Sequence, residues 1–473
     1  METIRTDLCI IGAGSGGLSI AAGAVQMRAR VVLIEGGEMG GDCLNAGCVP
    51  SKALIAAAKQ AHAMTAGAPF GIRPVVPEVD FAAVKDHVAR VIETIAPVDS
   101  QERFEGLGVR VIRNWAKFTD PDTVEAGPHR IIARRFVIAT GSRPFVPPIP
   151  GVDSVPYLTN ETIFALRERP EHLVIIGGGP IGMEMAQAHR RLGCRVTVIE
   201  GARALGRDDP EMAAIVLDNL RAEGVDILEE APVTALAGGP GAVTVTLQDG
   251  RTVEGSHLLL AVGRQVALDG LGLDAAGVDH TKRGVTVGAN LRSISNRRVY
   301  AVGDAAGGLQ FTHVAGYHAG VVIRQILFGL PAKAATHHIP WATYTDPEVA
   351  QIGPTEAEAR KAHGAALEVL RFPFHDNDRA QATGKTKGLI KLMVVKGRPV
   401  GVSIAGPQAG ELIGFWALAI AGRLKLGAIA GTVLPYPTLG EVSKRAAGAY
   451  FSPRLFDNPM VKRVVGAVQR WLP

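Results

Sequence analysis

Two of the four cysteines, Cys43 and Cys48, stand five residues apart in the glycine-flanked segment "GGDCLNAGCVPSK", residues 40–52. Thiols this close can form a disulfide, supply half of a metal site, or pass electrons to a third group. On a regular helix their Cα atoms would lie roughly 8–9 Å apart, whereas a disulfide needs about 4.4–6.8 Å. Bridging them requires a break in the helix, which Gly47 permits. A strained, loop-borne disulfide is reduced more readily than a structural one. On spacing alone, staple, metal half-site and redox centre all stay open. The sequence has no His-Glu-x-x-His, no Cys-x-x-Cys and no zinc-type cysteine–histidine spacing, so no metal site is expected. Cys9 lies in a strand pattern and Cys194 just before one, and both read as small buried hydrophobes.

The elements that would position such a pair are unusually legible. "DLCIIGAGSGGLSIAAGAVQMRARVVLIE" runs from a strand through Gly12, Gly14 and Gly17 into a helix, then to a strand ending in Glu35. This is the G-x-G-x-x-G dinucleotide turn in its full context. The glycines let backbone approach a pyrophosphate, the helix N-terminus faces the phosphates, and the acid can bind a ribose hydroxyl. The pattern recurs in "HLVIIGGGPIGMEMAQAHRRLGCRVTVIE", with Gly177, Gly179, Gly182 and Glu200. Two turns, each with its own acid, fit two different dinucleotides. The proline-rich "GSRPFVPPIPGV" (141–152) marks the boundary between them, and "VYAVGDAAGG" (299–308) places Asp304 at a strand end, where it can reach a sugar or ribityl hydroxyl. From about residue 340 the texture changes to alternating strands and helices without a nucleotide motif, as in a separate α+β domain.

Bulk properties narrow the function. The 473 residues require more than one core. A net charge of +5, with no Lys/Arg block interleaved with aromatics, argues against nucleic acid. The longest apolar run, "LIGFWALAIAG" at 412–422, is too short to span a membrane and reads as a buried helix. No signal-peptide pattern precedes the first strand, so the cytoplasm is the expected compartment, where a lone close cysteine pair is more often catalytic or metal-binding than structural.

Taken together, the cysteine segment, the two fingerprints, "ATG" at 139–141 and "AVGD" at 301–304 resemble the flavoprotein disulfide reductases, among them glutathione reductase, dihydrolipoamide dehydrogenase and mercuric reductase. The likeness runs over essentially the whole chain. It implies an α/β fold of two Rossmann-like dinucleotide-binding domains plus a C-terminal α+β dimerisation domain. FAD would occupy residues 1–150 and 266–338, NAD(P) residues 151–265, and the dimer contact residues 339–473. The resemblance implies FAD along Gly12, Gly14 and Gly17, with Glu35 on the adenosine ribose and Asp304 on the ribityl chain. A helix beginning near His313, Val314 and Ala315 would aim N–H groups at the flavin's pyrimidine edge. Further cofactor contacts would fall at Ala116, Thr140, Gly141, Ala315 and Gly263. Cys48 would be the flavin-proximal thiol and Cys43 the substrate-facing one. Lys52, one turn beyond Cys48, would pair with Glu184 where hydride arrives. The nicotinamide cofactor would lie on Gly177, Gly179 and Gly182; Glu200 favours NADH over NADPH, although Arg203 and Arg207 follow closely. Pro180 stands where some relatives carry an aromatic gate.

One departure bears on the acceptor. Glutathione- and lipoamide-type relatives have a histidine that pairs with a glutamate and acts from the opposite subunit. In "LPYPTLGEVSKRAAG" (434–448) the glutamate is Glu441, but the histidine position is Tyr436. Tyrosine titrates near 10 and shuttles protons poorly near neutrality. Mercuric reductases share a tyrosine here, yet their C-terminal pair of adjacent cysteines is missing. The expectation is a homodimeric enzyme that takes electrons from NADH or NADPH through FAD and a Cys43–Cys48 disulfide to a soft metal ion or other non-lipoyl acceptor. A dihydrolipoamide dehydrogenase or other small-disulfide reductase is the alternative, and a non-catalytic flavin redox sensor the alternative of another class. The tail "NPMVKRVVGAVQRWLP" places Val461, Val464, Val465, Val468 and Leu472 opposite Lys462, Arg463 and Arg470. Such a helix can lie on an anionic membrane, but packing against the dimerisation domain is the expectation.

Overall fold

The computed structural model describes residues 1–471. Its first sheet holds parallel strands Arg110–Ile112, Val31–Ile34, Glu2–Ile11 and His129–Ile138, side by side in that order. The last four residues of Glu2–Ile11 are all buried, as a central parallel strand covered on both faces requires. Two partners share the outer edge of His129–Ile138. Thr123–Ala126 pairs antiparallel with its first half, and Val299–Ala301 pairs parallel with its second, through Phe136, Val137 and Ile138. A segment far along the chain thus closes the first sheet.

The second sheet has parallel strands Asp226–Leu228, Arg195–Ile199, His172–Ile176 and His257–Leu260, with the helix Pro180–Arg191 as its first crossover. Ser142–Pro144 and Arg264–Val266 pair antiparallel where the chain leaves the first unit and comes back to it. The third unit is a five-stranded antiparallel sheet, beginning at Pro340–Thr343, against which the helix Ala409–Ala421 packs. Trp416 is fully buried there and donates its indole N–H to Ser443 Oγ at 3.0 Å. The protein is therefore an α/β molecule of two nucleotide folds and a C-terminal α+β domain.

One expectation needs correction, and the tail takes a form of its own. The apolar run at 412–422 is buried on one face only, because the sheet covers a single side of the helix; Leu418 is 70% exposed. The tail does form a helix, Pro459–Trp471, but it buries none of its residues. Its neighbour within the chain is the short helix Ser452–Phe456. Leu472 lies outside the described residues.

Some helices away from the nucleotide turns carry side-chain caps, such as Asp80, Asp209 and the Thr355–Glu358 capping box, whereas Ala409–Ala421 and Glu441–Gly448 do not. The helices after Gly14, Gly47, Gly179 and Phe311 have no side-chain cap, which leaves their first N–H groups for a ligand.

Candidate active site

The cysteine segment is a broken helix. Gly41–Asn45 forms one short piece, Ala46 and Gly47 leave helical geometry, and a new helix starts at Cys48 and runs to Thr65. A Cβ on Gly47 would lie 2.9 Å from the Asp42 carbonyl oxygen and 3.2 Å from the Cys43 Cα, so the break folds back tightly enough that only glycine fits. The fold-back brings the two cysteines together: both are free thiols, and each shifts the titration of the other. The pair is polarised. The hydrogen bond from Cys43 holds the Cys48 thiol down to about 6 against the opposing effect of burial. The Thr312 hydroxyl, 3.4 Å from Cys48 Sγ, and the charge of Lys52 add to this. The same shared hydrogen bond, with burial, pushes the Cys43 thiol up. Both shifts favour the thiolate on Cys48, at the N-terminus of its helix.

Asp42 anchors this segment. Its Oδ1 accepts from Asn160 Nδ2 at 2.9 Å and lies 3.2 Å from an Arg264 guanidinium nitrogen. Arg264 also donates to the Ser142 hydroxyl and carbonyl, both at 2.7 Å, and Ser142 Oγ in turn donates to Asp304. Burial pushes the Asp304 carboxyl up. Lys52 Nζ sits 2.8 Å from Glu184 Oε2 and 4.5 Å from the centre of the Tyr344 ring. Glu184 Oε1 accepts from the Tyr344 N–H at 2.9 Å. The pair joins the cysteine helix to the crossover helix of the second nucleotide fold.

All of this faces one cleft of about 1180 Å³, lined by Gly12, Gly14, Glu35, Ala116, Thr140, Gly141, Asp304 and Ala315 together with Cys43, Cys48, Lys52 and Glu184. That exceeds the roughly 300–1,000 Å³ of ordinary small-molecule pockets and suits a dinucleotide. Thr140 Oγ1 is buried beside it without a hydrogen-bond partner, a polar atom awaiting a ligand. Gly17 does not face the cleft; it lets helix meet strand, since a Cβ there would lie 1.9 Å from the Gly12 carbonyl oxygen. The helix expected near His313 starts at Thr312. The N–H groups of Val314 and Ala315 turn back to the Phe311 carbonyl. His313 Nε2 is bound to the Pro340 carbonyl at 2.8 Å.

Gly177, Gly179, Gly182, Glu200 and Gly263 form a second turn that does not line this cleft. Glu200 Oε2 accepts from the Gly178 N–H at 2.6 Å and Oε1 from the Ala202 N–H at 2.9 Å. Tyr436 and Glu441 also lie elsewhere. Tyr436 is 67% exposed and donates its hydroxyl to Asp378 at 2.5 Å, and Glu441 starts the helix Glu441–Gly448. Neither meets the cysteines of its own chain.

Sequence reasoning overlooked Thr312, Tyr344, Asn160, Ser142, Arg264 and Asp42. Three had a signal: Ser142 and Arg264 directly follow Gly141 and Gly263, and Asp42 is the acid inside the cysteine segment. Thr312 had none, because its contact joins residues 264 positions apart.

A thiol pair beside a dinucleotide cleft, bridged by an ion pair to a second nucleotide fold, defines a two-cofactor thiol redox protein. The chain belongs to the pyridine nucleotide-disulphide oxidoreductase family, which matches residues 6–319, and the family's dimerisation domain matches residues 339–447. Members use FAD and NAD(P)H, and this chain is accordingly a pyridine nucleotide-dependent flavoprotein disulfide oxidoreductase. It is 35% identical over 457 residues to a mercuric reductase of Streptomyces lividans, covering 94% of this chain and 96% of the relative. It is 33% identical over 455 residues to a dihydrolipoyl dehydrogenase of Geobacillus stearothermophilus, with the same coverage. Among solved structures it resembles a Cu(II) complex of the HOCl-induced flavoprotein disulfide reductase RclA from Escherichia coli, with a TM-score of 0.84 and 26% identity over 94% of this chain and 99% of that one.

Proposed function

We propose that this protein uses NADH to reduce a soft metal ion or another non-lipoyl acceptor at the Cys43–Cys48 pair. FAD, when bound, would relay two electrons from the nicotinamide to the cysteines. Lys52 holds a positive charge, oriented by Glu184, between the two folds. Cys48 keeps the thiolate on the cofactor side, stabilised by Cys43 and Thr312, and Cys43 offers its sulfur to the acceptor. Glu200 supports NADH, since its carboxylate stands at the end of the second fold's strand, where a 2′-phosphate would meet negative charge. Exposed Leu418 and Tyr436 support a homodimer in which Tyr436 and Glu441 complete the partner's site. The same reading divides the chain into FAD segments 1–150 and 266–338, an NAD(P) segment 151–265 and a dimerisation segment 339–473. Pairing of Val299–Ala301 with the first sheet supports that division.

One observation carries the choice of acceptor: Tyr436 holds the position where disulfide-reducing relatives carry a histidine. The one histidine in the cleft lining, His313, is oriented by the Pro340 carbonyl through Nε2. The hydrogen bond from Tyr436 to Asp378 pushes the tyrosine hydroxyl's pKa up further, so it stays a donor at neutral pH. A leaving thiolate needs an acid and the attacking thiol needs a base; a soft metal ion deprotonates the thiols that ligate it, their protons passing to water, and has no leaving thiolate to protonate. The mercuric reductase relative and the copper-bound neighbour support the same choice. The dihydrolipoyl dehydrogenase relative supports the second reading, a small-disulfide substrate.

The test is NADH oxidation with Hg(II), Cu(II), quinones, oxidised glutathione and lipoamide. Metal or quinone turnover should exceed disulfide turnover. Tyr436→His should raise disulfide reduction, by up to the roughly 10²–10⁴-fold that general acid–base help supplies. Efficient lipoamide turnover unchanged in Tyr436→Phe would restore the lipoamide reading.

A further inference from the structure

We infer that the C-terminal helix Pro459–Trp471 anchors the protein to the surface of an anionic lipid bilayer. The helix is 13 residues long, about 20 Å, and none of it is buried. At about 100° per residue, Met460, Val461, Val464, Val465, Val468 and Trp471 share one continuous arc. Lys462, Arg463, Gln469 and Arg470 occupy the other. Met460 is 73% and Trp471 83% exposed, Val464, Val465 and Val468 between them are exposed too, and Val461 is half-buried. An isolated helix this short is marginal in water, and a contiguous apolar face of this kind marks a surface that something covers.

Charge identifies what covers it. Residues 458–473 contain three cations and no acid. Among the described residues none of the three forms an ion pair, whereas Arg454, just upstream, is held by Glu368. Lys462 flanks one border of the apolar arc and Arg463 the other. From there their stems can lie along an apolar surface while the charged ends reach lipid phosphates. Trp471, at the end of the arc, combines an apolar ring with an N–H suited to the interface. No helix among the described residues is long and apolar enough to cross a membrane, so the helix lies in the plane of the interface. Phe456 and Leu455, exposed on the preceding short helix, extend the apolar surface toward the body of the protein.

The test is co-sedimentation of the full-length, FAD-loaded protein with phosphatidylcholine vesicles, with and without phosphatidylglycerol. The protein should sediment with the anionic vesicles, stay largely in solution with the neutral ones, and be released by salt. Val464→Asp with Val468→Asp should weaken vesicle binding roughly tenfold or more, as should Lys462→Glu with Arg463→Glu. Both double variants should keep wild-type NADH oxidation in solution. Wild-type protein that ignores both vesicle types would overturn the inference, as would Asp variants that bind as before. Asp variants that shift the protein to a smaller species by light scattering would also overturn it and assign the helix to a second copy of the chain.

Discussion

The two nucleotide turns are built alike and housed differently. Gly12 and Gly177 have φ of +107° and +115°, and a Cβ on either would lie 2.4 Å from the carbonyl oxygen of Ala139 or Ala261. Glu35 accepts from the Ala13 and Gly37 N–H groups as Glu200 accepts from those of Gly178 and Ala202. Their surroundings diverge. The first turn opens into the 1180 Å³ cleft, closed by Asp304, Thr312 and the cysteine segment, whereas the glycines of the second do not line it. The second unit lines that cleft with the start of its crossover helix, Pro180, Ile181, Glu184 and Met185, and with residues outside its glycine turn such as Asn160, Phe164 and Arg264. The motif thus specifies a phosphate turn, and the tertiary walls decide whether the ligand is enclosed or left free to exchange. On the function proposed above, a resident flavin takes the first arrangement and an exchanging nicotinamide the second.

Substituting the matched glycines should break the symmetry most visibly. A Cβ at Gly17 would lie 1.9 Å from the Gly12 carbonyl oxygen, and one at Gly182 2.0 Å from that of Gly177. Gly17→Ala should yield colourless protein without flavin. Gly182→Ala should stay yellow and be reduced by dithionite, but lose about 10²-fold in kcat/KM for NADH, as a misplaced cofactor costs. Equal flavin loss in both would erase the distinction. Next in size is the bridge between the folds. Lys52→Met removes the charge facing Glu184 and should slow reduction by NADH by roughly 10²-fold, with flavin content unchanged. The smallest effect concerns coenzyme choice. Glu200→Ala should narrow the NADH-to-NADPH ratio by about tenfold; a wild-type preference for NADPH would transfer the role to Arg203 and Arg207.

Much of this was legible because local motifs dictate local geometry. Strand, glycine turn, helix and acid are contiguous in sequence, so both nucleotide folds could be read directly, as could the need for a helix break at Gly47. Long-range contacts were not legible. Thr312 reaches Cys48 only because Val299–Ala301 closes the first sheet, and each successive link of the Asp42–Arg264–Ser142–Asp304 chain joins residues more than 100 positions apart. The apolar run around Trp416 showed no face, since composition alone does not reveal that Leu418 points away from the sheet. The tail showed its two faces plainly but not that it leaves the body of the protein.

The central claim is that the pair is polarised, with the thiolate on Cys48. The most direct measurement is the pH titration of ultraviolet thiolate absorbance in the reduced protein, for wild type and each single cysteine-to-serine variant. Because the Cys48 pKa is lowered to about 6, one thiolate should be present above that pH and be lost as pH falls through it. Cys48→Ser should abolish this step. Cys43→Ser should retain a thiolate, displaced upward in pH to the extent that serine donates a weaker hydrogen bond. A step near pH 6 that survives in Cys48→Ser and vanishes in Cys43→Ser would contradict the assignment and exchange the roles of the two sulfurs.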